Sequence, residues 1–260
     1  LLKIIIFCLP VLMLLLMIVM LIKAKENHLT KHTLSFNEFP KSFGKFTIFF
    51  ISDIHRRTIS TKLLEQLPSS VNLVIIGGDL TESGVPFQRV EQNLIVLKKI
   101  APVYFVFGNN DYEVGKERLE HLLKNHGVTI LNNTTATISS KNREKLVLLG
   151  VEDMSMERDR LDLALEHSPK TDFRLLISHN PEIYDQVRKS DRISFIIGGH
   201  THGGQIRLFG LGLYKKGKLH SLPNATLLIS NGYGTSGLPL RLGAPAEAHI
   251  IQLKNPGIKT

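Results

Sequence analysis

A layered α/β domain carried behind one apolar segment is the fold class this sequence predicts, on three observations. No charged residue occurs from Ile4 to Ile22. Beyond Lys45, short apolar runs of strand length alternate with stretches of helical pattern. Several of those runs end in Gly, Asp, Asn or His, the residue types that build sites at the carboxyl edge of an α/β sheet. The 260 residues suffice for one domain of ordinary to large size plus an appendage.

Ile4–Ile22 is filled almost entirely by Leu, Ile, Met and Val and shows no polar stripe. At 1.5 Å per residue it comes close to the roughly 30 Å of a bilayer's hydrocarbon, and Pro10 can kink such a span without forbidding it. A cleavable signal is the rival reading. Ile22-Lys23-Ala24-Lys25 lacks the small-x-small pattern that precedes a cut, and Cys8 lies inside the run rather than after it. Residues 1–22 are therefore expected to be a single-pass, uncleaved anchor in the cell membrane. Residues 23–44 read as a juxtamembrane linker with a possible first strand, and residues 45–260 as the folded domain. Lys23, Lys25 and Lys31 follow the span while Lys3 precedes it, which leans the domain toward the cytoplasm without deciding its facing.

Strands are expected at 46–51, 73–76, 103–107, 146–149, 173–177, 194–197, 226–229 and 248–253, and helices at 61–67, 86–100, 116–125, 158–166 and 182–189. Pro86 sits where a helix has no need of its N–H. The later strands come with fewer helices between them, which points to a second, mixed sheet. The single cysteine excludes an intramolecular disulfide and any thiolate-type zinc site. The net charge of +9 suits an anionic membrane surface or a phosphorylated substrate. Nucleic acid is not the expected partner, because no basic run is interleaved with aromatics.

The chemistry is carried by residues just past the strand ends. The run 46–51 leads into Asp53 and His55, 73–76 into Asp79, 103–107 into Asn109, Asn110 and Asp111, 173–177 into His179, and 194–197 into His200 and His202. Asp53 and His55, two apart on what reads as an extended segment, are expected to share one face, and His200 and His202 repeat the device. Taken singly, a buried His is more often a core residue than a ligand, and Gly-Asp after a strand is common turn chemistry. Five such groups at five strand ends are poorly explained by chance. Oxygen and imidazole donors without thiolate suit Mn, Fe(II), Zn or Mg. The remaining histidines, at 28, 32, 121, 126, 167, 220 and 249, read as surface or ordinary core.

The ordered blocks Asp53-Ile54-His55, Gly77-Gly78-Asp79, Gly108-Asn109-Asn110-Asp111, Ser178-His179-Asn180 and Gly199-His200-Thr201-His202-Gly203-Gly204-Gln205 resemble the calcineurin-like metallophosphoesterases over about residues 45–254. The tail Ser230–Pro239 with Arg241 is similar to a bacterial membrane-anchored subgroup of that family. The resemblance implies a four-layer α/β/β/α sandwich holding two divalent ions, with manganese favoured. On the same warrant Asp53, His55 and His202 would bind one ion, Asn109, His179 and His200 the other, and Asp79 would bridge them. Attack by a hydroxide lying between the ions then needs no protein nucleophile. No Gly-rich phosphate loop ending in Lys-Ser/Thr is present, which argues against a kinase or nucleotide switch.

One position departs from the pattern. The family's usual block is Gly-Asn-His-Asp or Gly-Asn-His-Glu, whose His can protonate the leaving oxygen, whereas this chain has Asn110 there. Asn can donate a hydrogen bond but is no general acid at neutral pH. That favours diester or pyrophosphate substrates over monoesters, with Asn110 or Asp111 as the catalytic candidates beside the ions. A non-catalytic metal-binding scaffold is the alternative, and turnover abolished by Asp79→Ala separates the two. The apolar segment Leu208–Tyr214 either suits a lipid-linked phosphate or packs on the core. Nucleotides and nucleotide-linked sugars are the other substrate classes open.

Overall fold

The computed structural model describes residues 2–171 and 173–257. Helix α1 (Leu2–Ala24) contains Pro10 and stands clear of the domain until its last turns, where Met20 and Ala24 are buried. By length and composition it can cross a bilayer.

Strands β1 (His28–Ser35), β2 (Phe46–Ile51), β3 (Leu73–Gly77), β4 (Val103–Val106), β5 (Thr129–Ile130) and β12 (Glu247–Lys254) form one sheet, ordered β1-β12-β2-β3-β4-β5. Strands β6 (Thr134–Ser139), β7 (Lys145–Gly150), β8 (Arg174–Ile177), β9 (Ile193–Gly198), β10 (Lys218–Ser221) and β11 (Thr226–Ile229) form the second, ordered β10-β11-β9-β8-β7-β6. The centres are parallel (β2-β3-β4 and β7-β8-β9), so their carboxyl ends point one way.

Period-two burial sorts the layers. Ile48, Phe50 and Ile75 of the first sheet meet Phe173, Leu175, Phe195 and Ile197 of the second in the core between the sheets. The alternate residues Phe49, Ile51, Val74 and Ile76 face outward under α2 (Thr61–Leu64), α3 (Phe87–Lys98) and α4 (Lys116–Asn125). On the far side Leu149, Leu176 and Ile196 pack with Leu161 and Ala164 of α5 (Leu161–Glu166). This is the expected four-layer α/β/β/α sandwich.

Several elements differ from expectation. The possible strand within 23–44 is β1, which is part of the first sheet rather than of a linker and pairs in parallel with β12 along its whole length. The helix expected at 61–67 stops at Leu64, and Pro68 disfavours helical backbone at Leu67. The stretch 182–189 is no α-helix but 3₁₀ turns at Pro181–Gln186 and Lys189–Asp191, broken by extended Val187. Strands β6 and β10 escape the sequence pattern because they are edge strands whose Thr, Ser, His and Lys side chains stay half exposed.

Candidate metal centre

Both sheets deliver their chemistry at the same edge. Asp53 and His55 come after β2, Asp79 after β3, Asn109 after β4, His179 after β8, and His200 and His202 after β9. Asp53 and His55 are not on extended backbone as expected. Their φ angles are 54° and 51°, and Asp79 (49°), His200 (67°) and His202 (50°) are also left-handed. Five of the seven candidate ligands thus sit where non-glycine backbone is strained, and such outliers cluster at functional sites. The tight turns also need Gly78 and Gly199. A Cβ at Gly78, itself at φ 84°, would lie 2.5 Å from His179 Nδ1, and one at Gly199 2.3 Å from Asp53 Oδ2.

The donor atoms converge in two overlapping sets. Asp53, His55 and His202 each offer an atom within 4.8 Å of the others, and so do Asp53, Asp79 and His179. His55 Nε2 faces His202 Nε2 at 3.1 Å, and His202 Nε2 lies 3.4 Å from Asp53 Oδ1. His200 Nδ1 lies 3.1 Å from Asn109 Oδ1 and 3.2 Å from His179 Nε2. The two sets share Asp53, and Asp79 Oδ2 lies 3.3 Å from His179 Nε2 and 3.6 Å from His55 Nε2. Donors about 2.1 Å from a shared cation at tetrahedral or octahedral angles sit roughly 3–3.5 Å apart. The spacing and the oxygen-imidazole donor set therefore fit divalent cations.

Neighbours fix the orientation of several candidate ligands, a role sequence reasoning did not assign. His179 Nδ1 lies 2.9 Å from the Gly77 carbonyl, which turns Nε2 into the site. His55 Nδ1 is 2.9 Å from Glu82 Oε2, an ion-pair contact rather than an aligned hydrogen bond, and Arg56 holds the other Glu82 oxygen. Ser52 Oγ donates to Asp53 Oδ2 at 2.6 Å, and the His200 amide to Asp53 Oδ1 at 3.0 Å. Nothing in the spacing of Glu82 from Asp79 marks it as His55's partner; only the fold brings them together.

Charge is set by burial and by neighbours. Burial alone would depress His179, but the Asp79 carboxylate overrides it and pushes the imidazole up to about 10. Burial would likewise raise Asp79, yet His179 beside it brings the carboxyl down to about 2. His202 is driven down to about 3 by burial, reinforced by the His55 and Arg241 charges.

Asn110 lines a cleft of about 270 Å³ at the centre together with Asp79, Asn109, His200 and His202. Its Oδ1 accepts from Asn109 Nδ2 at 2.9 Å, which leaves Asn109 Oδ1 turned toward His200. Asp111, the other catalytic candidate, does not line the cleft. It is wholly buried, and its oxygens accept from the amides of Thr81 (3.1 Å) and Gly108 (2.9 Å). Burial, with Asp79 nearby, pushes it up to about 8. The geometry makes it a brace between the β3 and β4 loops rather than a group that reaches substrate.

Residues 46–204 match the family model described as calcineurin-like phosphoesterase. The chain belongs to the calcineurin-like phosphoesterase family. It is accordingly a metal-dependent phosphoesterase. It is 46% identical to YpbG of Bacillus subtilis over 90% of each chain, and 31% identical to the phosphodiesterase YaeI of Escherichia coli over 69% of this chain and 68% of YaeI. Among solved structures, a putative 5'-nucleotidase from Staphylococcus aureus shares the fold at TM-score 0.54 and 12% identity. That match covers 84% of this chain and 56% of the nucleotidase chain.

Arg241 braces this phosphoesterase from beneath. Fully buried, its guanidinium donates to the carbonyls of Asn231 (2.6 Å), Gly234 (2.7 Å) and Ala244 (3.1 Å) and reaches His202 Nδ1 at 3.1 Å. A guanidinium has no lone pair, so Nδ1 accepts and the neutral ring carries its proton on Nε2, facing His55. Replacing Arg241 with Met strands several buried carbonyls, each costing about 1–3 kcal/mol, so a loss of about 3 kcal/mol or more is expected. Urea unfolding reads this directly, and an unchanged midpoint would contradict the bracing role.

Proposed function

We propose that this chain is a membrane-anchored hydrolase of phosphodiester or pyrophosphate bonds that works with two divalent ions, manganese in the first place. Asp53, His55 and His202 would hold one ion and Asn109, His179 and His200 the other, with Asp79 between them. Ions held there would supply positive charge to the phosphoryl oxygens and acidify a water. The observation that carries the bond preference is the cleft wall. Among the described residues it contains neither Lys nor Arg, and Asn110 stands where an imidazole could have given a proton. A diester phosphate carries one negative charge and a monoester up to two, so a wall without side-chain cations suits the diester. A pyrophosphate bond releases a phosphate, a leaving group that departs without the proton an alkoxide needs.

The chain's own groups bind and orient. Asn110 Nδ2 donates to Glu113 Oε1 at 2.9 Å while its Oδ1 fixes Asn109. Thr201, Gln205, Tyr214 and Ser236 bring polar groups to the rim. A neighbouring cleft of about 460 Å³ shares Thr201, Leu213 and Tyr214 with the first, and Leu222, Leu227 and Ile229 make its floor apolar. This continuity supports a substrate with an apolar portion, a lipid-linked phosphate, as does the helix Phe7–Ala24 read as a single-pass anchor. Lys23 and Lys25 after the span lean the domain to the cytoplasmic side.

A panel on the full chain in detergent with Mn(II) tests the reading. Bis(p-nitrophenyl) phosphate is expected to turn over faster than p-nitrophenyl phosphate by about tenfold or more, the equivalent of about 1.4 kcal/mol. A preference for the monoester would overturn it.

A further inference from the structure

The segment Ile206–Tyr214 does not pack on the core. Phe209 is 103% exposed, Leu213 95%, Leu211 78% and Leu238 beside them 66%. Contiguous apolar surface of this kind marks an interaction site. Nor is the loop unstructured. Leu208 and Leu211 exchange backbone hydrogen bonds at 3.0 and 2.9 Å, with Phe209 and Gly210 at positive φ in the turn. Arg207 sits beneath, donating to the carbonyls of Gly203 (2.9 Å), Gly210 (2.7 Å) and Tyr214 (2.6 Å). Its charge is spent inside the loop while the apolar side chains are held outward.

The same loop is tied to the anchoring helix. Arg207 N donates to Leu242 O at 2.7 Å, and Gln205 Nε2 donates to Leu238 O at 3.0 Å. Between those two residues, Arg241 N donates to Met20 O at 3.1 Å. Met20 lies within the uncharged run that ends at Ile22. The domain therefore touches α1 at the depth where hydrocarbon gives way to headgroups. Arg57 locks this junction. It donates to Lys25 O and Glu26 O, both at 2.7 Å, and to Tyr233 O at 2.6 Å, and stacks on the Tyr233 ring at 3.8 Å. Lys215, Lys216 and Lys218 are exposed just beyond the apolar tip, as a collar facing anionic headgroups would be.

We propose that the loop Ile206–Tyr214, with Leu238, inserts into the same membrane surface that α1 crosses, so that the metal centre's cleft opens at the headgroup layer. Leu213 and Tyr214 belong both to this surface and to the cleft wall. A phosphate carried on a lipid would reach the cleft without leaving the bilayer. The inference rests on reading α1 as a span and is independent of which bond is cleaved.

The sequence contains no tryptophan, so single Trp replacements give the full chain a fluorophore of known place. The protein is reconstituted into phosphatidylethanolamine–phosphatidylglycerol vesicles with plain or brominated acyl chains. Phe209→Trp and Leu211→Trp are expected to emit to the blue and to lose most of their emission to the brominated lipid. Leu14→Trp, within the span, should lose it too. Lys141→Trp should keep it, because the Ser140 turn meets Ser42 beyond the end of β1 remote from α1. Quenching at Leu14→Trp without quenching at Phe209→Trp and Leu211→Trp overturns the proposal alone. Blue emission without quenching there also overturns it, since protein would then cover the loop. No quenching at Leu14→Trp removes the span and this proposal together. Phosphodiester turnover is assayed separately, so its failure leaves the quenching result intact.

Discussion

Asp79→Ala is expected to lower turnover of bis(p-nitrophenyl) phosphate by roughly three orders of magnitude, about 4 kcal/mol of transition-state stabilisation. Asp79 Oδ2 lies 3.3 Å from His179 Nε2 and 3.6 Å from His55 Nε2, so on the proposed reading it is the carboxylate that the two ions would share. Its other oxygen accepts from the Asn110 amide at 2.9 Å, so the variant also loosens the loop that aims Asn109. His202→Ala removes one donor from one set and is expected to cost less. Measured by metal titration, Asp79→Ala should lose both binding events and His202→Ala one. Chelation should abolish turnover, and Mn(II) should restore it better than Ca(II), whose larger shell prefers more oxygen donors than this imidazole-rich centre offers. Full turnover by Asp79→Ala, with a melting transition like wild type, would contradict a shared carboxylate.

Much of this was legible in the sequence, for physical reasons. Interior strands covered on both faces read as continuous apolar runs, which is why 46–51 and 226–229 match β2 and β11 residue for residue. The candidate ligands were legible because each lies just beyond such a run. Edge strands β6 and β10 lack that signature. The orienting groups were hidden for a different reason. Glu82 meets His55, and Arg241 meets His202, only through tertiary folding. The left-handed backbone of Asp53 and His55 was also invisible, because spacing two apart reads as a strand whatever φ the turn imposes. Asp111 shows the limit of motif position as a guide to role. It adjoins a cleft residue, yet both its oxygens are taken by backbone amides.

Asn110→His is the second change expected to act strongly, and its effect should depend on what leaves. On the proposed reading, the departing oxygen of an alkyl ester would receive no proton from position 110, whereas a nitrophenolate departs readily unprotonated. Acid assistance is typically worth about 10²–10⁴-fold. The wild-type rate is therefore expected to fall steeply as leaving-group pKa rises, and Asn110→His to flatten that slope by speeding the poorest leaving groups most. The same change should improve monoesters relative to diesters, because an imidazolium adds the cation that the wall lacks. A cost accompanies it, since Asn110 Oδ1 now fixes the Asn109 amide. Asn110→Ala isolates that cost, lowering rates for all leaving groups alike without changing the slope. Asp111→Asn places an amide against two backbone N–H groups and is expected to lower stability by about 1–3 kcal/mol while leaving the slope unchanged. A wild-type slope that is already shallow, and that becomes steep only in Asp111→Asn, would return the acid to Asp111 and leave Asn110 as an orienting group alone.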